Sequence, residues 1–239
     1  MEVINDLLNI NGYKIYQDTE YFKFSLDSIL LSDFVTIKNE NIDLLDLCSG
    51  NCPIPIILSR KVKKKITAIE LQKEVYNLGK KSITINNLED KILLLNEDVK
   101  NLKNIYESDT FDTITCNPPY FKNLEKSKTA NNEIKSIARH EIKLNIDDVI
   151  NVSKCLLKNN GNLALVHRTE RFLEIIEKLK ANNLEPKKIQ FVYPKKNSNS
   201  NLVLIEATKN GKEGIKLLPP LFVHNEDGNY TDIILKKFE

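Results

Sequence analysis

Residues 42–59, IDLLDLCSGNCPIPIILS, run from a short, nearly all-apolar segment through a turn of small polar residues into a second apolar segment. A strand that is apolar on both sides offers no face to water, so Ile42 to Cys48 reads as a strand inside a parallel sheet covered on both faces. SGNCP breaks it, and IPIILSRKV follows as a helix. Strand, tight turn and helix in that order form the repeating unit of an α/β fold, and the chain goes on to repeat it.

KITAIEL (Lys65 to Leu71) is a second, β-branched strand. QKEVYNLGKKSITINN then carries Val75, Leu78, Ser82 and Ile85 at helical spacing and stops at Asn86-Asn87. KILLLNED (Lys91 to Asp98) is a third strand and FDTITCN (Phe111 to Asn117) a fourth. DDVINVSKCLLKNNG reads as a helix closed by Gly161, NLALVHR as a fifth strand and TERFLEIIEKLKANN as a further helix. KKIQFVYP and NLVLIEATK face each other across the polar loop KKNSNS, the signal of an antiparallel hairpin. Five strand–helix units closed by such a pair predict an α/β, Rossmann-like class I architecture with a seven-stranded, mostly parallel sheet. That layout resembles the sheet of S-adenosyl-L-methionine (SAM) methyltransferases rather than that of a nicotinamide dehydrogenase. With no internal repeat or low-complexity linker, residues 1–239 are expected to form one domain: a core over 43–209, an N-terminal extension over 1–42 and a C-terminal tail over 210–239.

With 239 residues, 41% hydrophobic and 28% charged, the chain can bury a core of this kind. Its start, MEVINDLLNINGY, is acidic and interrupted by Asn, unlike a secretory signal, and no apolar run reaches transmembrane length. A cytoplasmic protein without a membrane partner is expected. The four cysteines, Cys48, Cys52, Cys116 and Cys155, form no CxxC pair and have no His at metal-ligand spacing, so they read as free thiols and no metal is expected. The 35 basic and 33 acidic residues leave a net charge of +2, without the global basicity of a histone-like protein. Basic islands do occur, at RKVKKK (Arg60 to Lys65), KNLEKSK (Lys122 to Lys128) and the two PKK triplets, and each reads first as a solvated face.

In sheets of this kind ligands bind outside the carboxyl ends of the strands, at the switch point beside the first. Asp46, Glu70 and Asp98 fall at three consecutive strand ends. An acid closing the second strand, ~20 residues beyond the first turn, suits a bidentate hydrogen bond to ribose hydroxyls, and Glu70 takes that position. An acid after the third strand can accept from an adenine amino group, and Asp98 takes that one. Leu71 and Val99, which follow them, are placed at the cofactor with them. DLCSGNCP lines up with the D-x-G-x-G-x-G pattern of SAM methyltransferases, keeping Asp46 and Gly50 while Cys48 and Cys52 stand where glycines are usual. Cysteines at positions that need φ > 0 imply strain. No Walker-type Lys follows the turn, which argues against nucleotide hydrolysis.

The fourth strand ends in Asn117-Pro118-Pro119-Tyr120. Methyl transfer to an exocyclic amine needs the planar amine turned so that its lone pair points at the methyl carbon, and hydrogen-bond acceptors achieve this. The Asn117 side-chain oxygen and the Pro118 carbonyl can each accept one N–H. The prolines, Pro118 and Pro119, fix φ and add no competing donors. Tyr120 offers a flat face for a flipped-out planar base. The tetrapeptide points to methylation of a planar amine without separating adenine from guanine, or either from a glutamine side chain.

DLCSGNCPIPIILS, TAIELQKEVYNLGKKSITINNL, FDTITCNPPYF, ARHE and LEPKKIQFVYPKK together resemble the bacterial N6-methyltransferases that modify adenine 37, beside the anticodon, of a valine tRNA. The likeness runs from FKFSLDSILLSDF near the N-terminus to LPPLFV and DGNYTDII at the end. It implies a SAM-dependent tRNA enzyme, monomeric or homodimeric. It also implies that SLDSILL, with Asp27 and Ser28, closes over the methionine end of the cofactor. Between the fourth strand and the next helix, KNLEKSKTANNEIKSIARHEI is long, polar and basic, where a substrate-facing lid would lie. Lys122, Lys126, Lys128 and Arg139 are its candidate phosphate contacts, and His140 is an RNA contact or a cap. Lys195 and Lys196 are similar candidates at the hairpin turn. Three other readings remain. A glutamine N5-methyltransferase of release factors shares NPPY but resembles a family with a separate helical N-terminal domain, for which 42 residues are too few. DNA adenine methylation lacks a dedicated base-reading domain here, and a noncatalytic RNA-binding module would have no need of Asn117 and Tyr120.

Overall fold

The apolar runs of the sequence lie side by side in the computed structural model, which describes residues 1–7, 10–19, 26–118 and 144–237. A hairpin of β1 (Glu2–Asp6) and β2 (Lys14–Asp18) and the helix α1 (Leu26–Phe34) precede the core. There follow β3 (Leu44–Leu47), α2 (Pro53–Leu58), β4 (Ile66–Glu70), α3 (Lys73–Ile85), β5 (Ile92–Asn96), α4 (Leu102–Ile105) and β6 (Phe111–Cys116). After the undescribed segment come α5 (Ile146–Leu156), β7 (Leu157–Arg168), α6 (Phe172–Ala181), β8 (Leu184–Lys195) and β9 (Leu202–Lys209). Two short strands, β10 (Lys216–Leu217) and β11 (Leu221–His224), and the helix α7 (Asp232–Leu235) close the chain.

The main sheet has the order β10-β8-β9-β7-β6-β3-β4-β5, with β11 also pairing with β8. β9 runs antiparallel to both β7 and β8, and the other pairings are parallel. The expected architecture is therefore present, as a sheet of nine strands among the described residues: β10 and β11 extend the seven by pairing with β8. The C-terminal segment, expected as a tail, thus belongs to the sheet. Every residue of β3 and β4 is buried, as a parallel sheet covered on both faces requires. Leu44, Ile66 and Ala68 pack on the side of α1 and α2, and Leu45, Leu47 and Ile69 on the side of α5 and α6.

One boundary differs from the sequence reading. The helix expected to close at Gly161 ends at Leu156, and Gly161 lies within β7. A Cβ at Gly161 would meet Lys158 O at 2.8 Å and Asp112 O at 3.0 Å, and the β6–β7 register shifts at this point. Its glycine serves a close backbone approach at an irregular strand entry rather than a helix stop. At this amino end of the sheet, Lys158 Nζ reaches both Asp43 Oδ2 and Asp112 Oδ2 at 2.9 Å, tying β3, β6 and β7 together away from the opposite edge.

Gly79 in α3 marks where helix and turn meet. A Cβ there would fall 2.8 Å from Leu94 Cδ2, 3.1 Å from Cys52 Sγ and 3.1 Å from the Gly50 carbonyl oxygen. Alanine improves helix propensity by up to ~1 kcal/mol, yet overpacking costs ~1–3 kcal/mol. Gly79→Ala is therefore expected to lower stability by ~1–2 kcal/mol in urea unfolding, because the backbone of the Gly50 turn has to retreat; unchanged stability would mean that the turn yields without cost.

Candidate active site

The carboxyl edge of β3, β4 and β6 gathers most of the described candidate residues. β3 leads into the turn through three consecutive alternate positions in the left-handed region, Cys48 (φ 57°), Gly50 (φ 58°) and Cys52 (φ 71°). Two cysteines therefore do hold conformations that glycine adopts at no steric cost. Both side chains have packing partners that repay part of this: Cys52 is fully buried in the core beside α3, and Cys48 contacts Cys116 across the β3–β6 pair. All four cysteines are free thiols. A Cβ on Gly50 would meet nothing within 4 Å, so this face of the turn is open.

Ser49 stitches the turn down. Its Oγ donates to Asp46 O (2.9 Å) and accepts from Ile69 N–H (3.1 Å), while its N–H donates to Ile69 O (2.8 Å). Glu70, closing β4, is almost fully buried; its Oε2 accepts from Gly50 N–H (2.9 Å) and its Oε1 from Gln72 N–H (2.7 Å). Burial pushes its carboxyl upward in pKa, and these backbone donors oppose that. One carboxylate thus holds the first turn against the second. Each oxygen keeps a further lone pair for another donor. Leu71 follows, and its carbonyl and that of Glu70 both accept from Asn96 Nδ2 at 2.9 Å, joining the ends of β4 and β5.

Asp46, expected at a strand end, lies within β3, one residue before its last, and is fully buried. In register with Thr115 of β6, its Oδ1 accepts from Thr115 Oγ1 at 2.5 Å, whereas Oδ2 is buried with no hydrogen-bond partner. Burial pushes its pKa up to about 7, with the bond from Thr115 opposing the shift and the charge of Glu70 adding to it. The folded state therefore keeps a proton that the unfolded chain releases near pH 4, so this contribution to stability is complete at acid pH and is lost as pH rises through about 7. Asp46→Asn is expected to flatten the decline in Tm between pH 5 and pH 8; an unchanged slope would place the carboxylate in a better solvated setting.

Asp98 is the N-cap of a short 3-10 turn, accepting from Lys100 N–H at 2.9 Å, with Val99 buried behind it. The cap accounts for one of its oxygens, and the Lys100 ammonium stands 3.8 Å from the other. Beyond β6, Asn117 Nδ2 donates to Ser28 Oγ at 3.2 Å, so α1 orients the Asn117 amide; Asp27 precedes Ser28 in the first turn of α1. Pro118 is buried. Pro119, Tyr120, Lys122, Lys126, Lys128, Arg139 and His140 lie outside the described residues. Lys195 and Lys196 are exposed at the β8–β9 turn, several strands away from Asn117.

Sequence reasoning missed three residues that build this edge. Thr115 carried a signal, a hydroxyl two residues before Asn117 in a largely buried strand, but its partner depends on strand register. Asn96 could have been read as a strand stop. Asn51, whose Nδ2 donates to Tyr16 O (2.8 Å), ties the N-terminal hairpin to the turn and carried no local signal. At the end of β7, His167 is buried and its pKa is pushed down to about 3 by burial and then by Arg171, which pairs with Glu174 through two hydrogen bonds. Its Nδ1 accepts from Arg168 N–H at 2.8 Å, fixing the entry to α6. Among the described residues no helix is long and apolar enough to cross a membrane, and no group of three or more His, Cys, Asp or Glu residues could hold a metal ion.

Comparison with known proteins places the chain in a family. The model of the methyltransferase small domain family matches residues 26–185. A Flavobacterium psychrophilum protein named tRNA1(Val) (adenine(37)-N6)-methyltransferase is 25% identical over 161 residues, covering 67% of this chain and 67% of that protein. An Aliivibrio salmonicida protein of the same name is 23% identical over 217 residues, covering 88% and 86%. Among solved structures, a predicted O-methyltransferase from Agrobacterium tumefaciens superposes with a TM-score of 0.70 at 19% identity, covering 89% of this chain and 95% of that one. Methanocaldococcus jannaschii Trm5 in complex with adenosine gives 0.63 at 17% identity, covering 88% and 57%. At these identities the structural likeness speaks for the fold.

Proposed function

Since the chain belongs to the methyltransferase small domain family, we propose that it methylates the N6 amine of an adenine in tRNA, adenine 37 beside the anticodon of a valine tRNA. Its cofactor is SAM, and the residues of the edge suit that group. Asp46 Oδ2 is a buried carboxyl oxygen lacking a partner, the Gly50 turn is open on one face, and Glu70 sits where ribose hydroxyls would donate. In this reading Glu70 holds the ribose and Asp98 the adenine amine, with Leu71 and Val99 beside the ring. Asp27, Asp46, Cys48 and Gly50 serve the methionine end. SAM, when bound, supplies an electrophilic methyl group on a sulfonium.

The observation that carries the proposal is the placement of Asn117 beside that edge, its amide oriented by Ser28. In this reading the amide nitrogen stays on Ser28 Oγ and the oxygen is assigned to accept an N–H of the target amine. The Pro118 carbonyl accepts the other. Two acceptors hold both N–H bonds and so set the direction of the nitrogen lone pair, and they ease departure of one proton as the nitrogen gains positive charge. No strong base is required, which fits a site whose acids stand at the cofactor. Tyr120 is assigned the stacking face for the base, and Lys122, Arg139 and His140 contacts to RNA.

The names of the relatives favour adenine in tRNA over the glutamine of a release factor. Incubation with methyl-labelled SAM and, separately, total tRNA, ribosomal RNA, duplex DNA and release factor tests the reading. Label in tRNA is expected, and label confined to release factor would overturn it.

A further inference from the structure

Because β9 runs against its neighbours, β8 and β11 end at the same edge of the sheet as β6. Leu202 pairs with both Arg168 and Val192, and His224 pairs with Lys195. Tyr193 and Phe222 pair directly across β8 and β11, with ring centroids 5.4 Å apart and an interplanar angle of 43°. Two residues on along each strand, and therefore on the same face, stand Lys195 and His224. The His224 ring lies on Tyr230, with centroids 5.1 Å apart and planes 16° from parallel. Its Nδ1 is 3.1 Å from the Pro194 carbonyl oxygen. A carbonyl only accepts, so Nδ1 carries the proton and the ring is held in one orientation. All four rings keep partial exposure, and Lys195 and Lys196 are exposed beside them.

We propose that this outer edge is a stacking platform for unpaired nucleotides of the RNA substrate, on either side of the base presented to Asn117; the proposal rests on the tRNA reading above. Rings held in place by the β8–β11 pairing, by ring–ring contact and by the His224–Pro194 hydrogen bond leave little rotamer freedom to lose on binding. Every base has a face that can stack on them, and two ammonium groups at the β8–β9 turn neutralise phosphates. The fold supplies continuity, since the platform and Asn117 share one edge of one sheet. Glu226 and Asp227, exposed in the turn after His224, mark its outer limit by repelling a phosphate chain.

The test uses the whole protein with a fluorescent anticodon stem-loop RNA and the corresponding full tRNA. Binding is measured by anisotropy across a salt series and methyl transfer by steady-state kinetics. Tyr193→Leu/Tyr230→Leu is expected to raise Kd and KM for RNA by roughly 10- to 100-fold. Its kcat at saturating RNA and its affinity for SAM are expected to stay at wild-type values. Lys195→Gln/Lys196→Gln, two exposed changes that leave the core intact, is expected to make the slope of log Kd against log salt shallower by about 1 to 2. Wild-type RNA affinity and salt slope in both variants, with tRNA still methylated, would overturn the platform and leave the proposed function standing. A wild-type protein that methylates release factor and does not bind RNA would overturn the proposed function, and the platform with it.

Discussion

Asn117→Ala is expected to lower kcat by roughly 100- to 10,000-fold while leaving SAM affinity within about twofold of wild type, since losing an orienting hydrogen-bond acceptor affects the reacting geometry rather than cofactor binding. The side chain reaches the edge after β6, and its Nδ2 donates to Ser28 Oγ of α1. Removing it leaves the Pro118 carbonyl as a lone acceptor, so the amine can rotate about the remaining hydrogen bond. Single-turnover transfer together with calorimetric SAM binding separates the two effects. A large loss of SAM affinity with near-normal single-turnover chemistry would assign Asn117 to the cofactor and not to the amine.

Glu70→Ala is expected to do the converse, with SAM affinity falling by roughly 100-fold or more, because hydrogen bonds to a charged group contribute ~1.5–3 kcal/mol each. The variant has a second consequence that a purely ligand-facing acid would lack. Gly50 N–H and Gln72 N–H both lose their acceptor, so Tm of the cofactor-free protein falls as well. Glu70→Gln separates these roles, since the amide oxygen still serves one backbone donor while the charge is gone. Normal SAM affinity in Glu70→Ala would sink the ribose assignment.

The sheet was legible because its strands are buried on both faces and so are written as apolar runs, LLDL and ITAIE among them. β10 and β11 were not, because strands of two and four residues on either side of Pro219 and Pro220 leave no periodic signal and depend on β8 for their register. Asp46, Glu70 and Asp98 were identified as a set from their places after successive strands, yet their environments were hidden. Asp46 is buried because Thr115 faces it across β6, Glu70 braces two turns, and Asp98 caps a turn. Each of these facts is a relation between residues far apart in the chain. Gly79 shows the same limit: within α3 it looks like a weak helix former, and only its approach to the Gly50 carbonyl explains it. The cysteines at 48 and 52 were visible as departures from a glycine pattern, and their left-handed φ values bear out the strain expected of them.

The most direct measurement of the central claim is the chemical identity of the methylated product. Valine tRNA transcribed without modification is incubated with the protein and methyl-labelled SAM, digested to nucleosides and separated, with a second transcript carrying guanine in place of adenine 37 as the control. The account predicts label in N6-methyladenosine from the first transcript and none from the second. Label in any other nucleoside, or equal label from both transcripts, would contradict it.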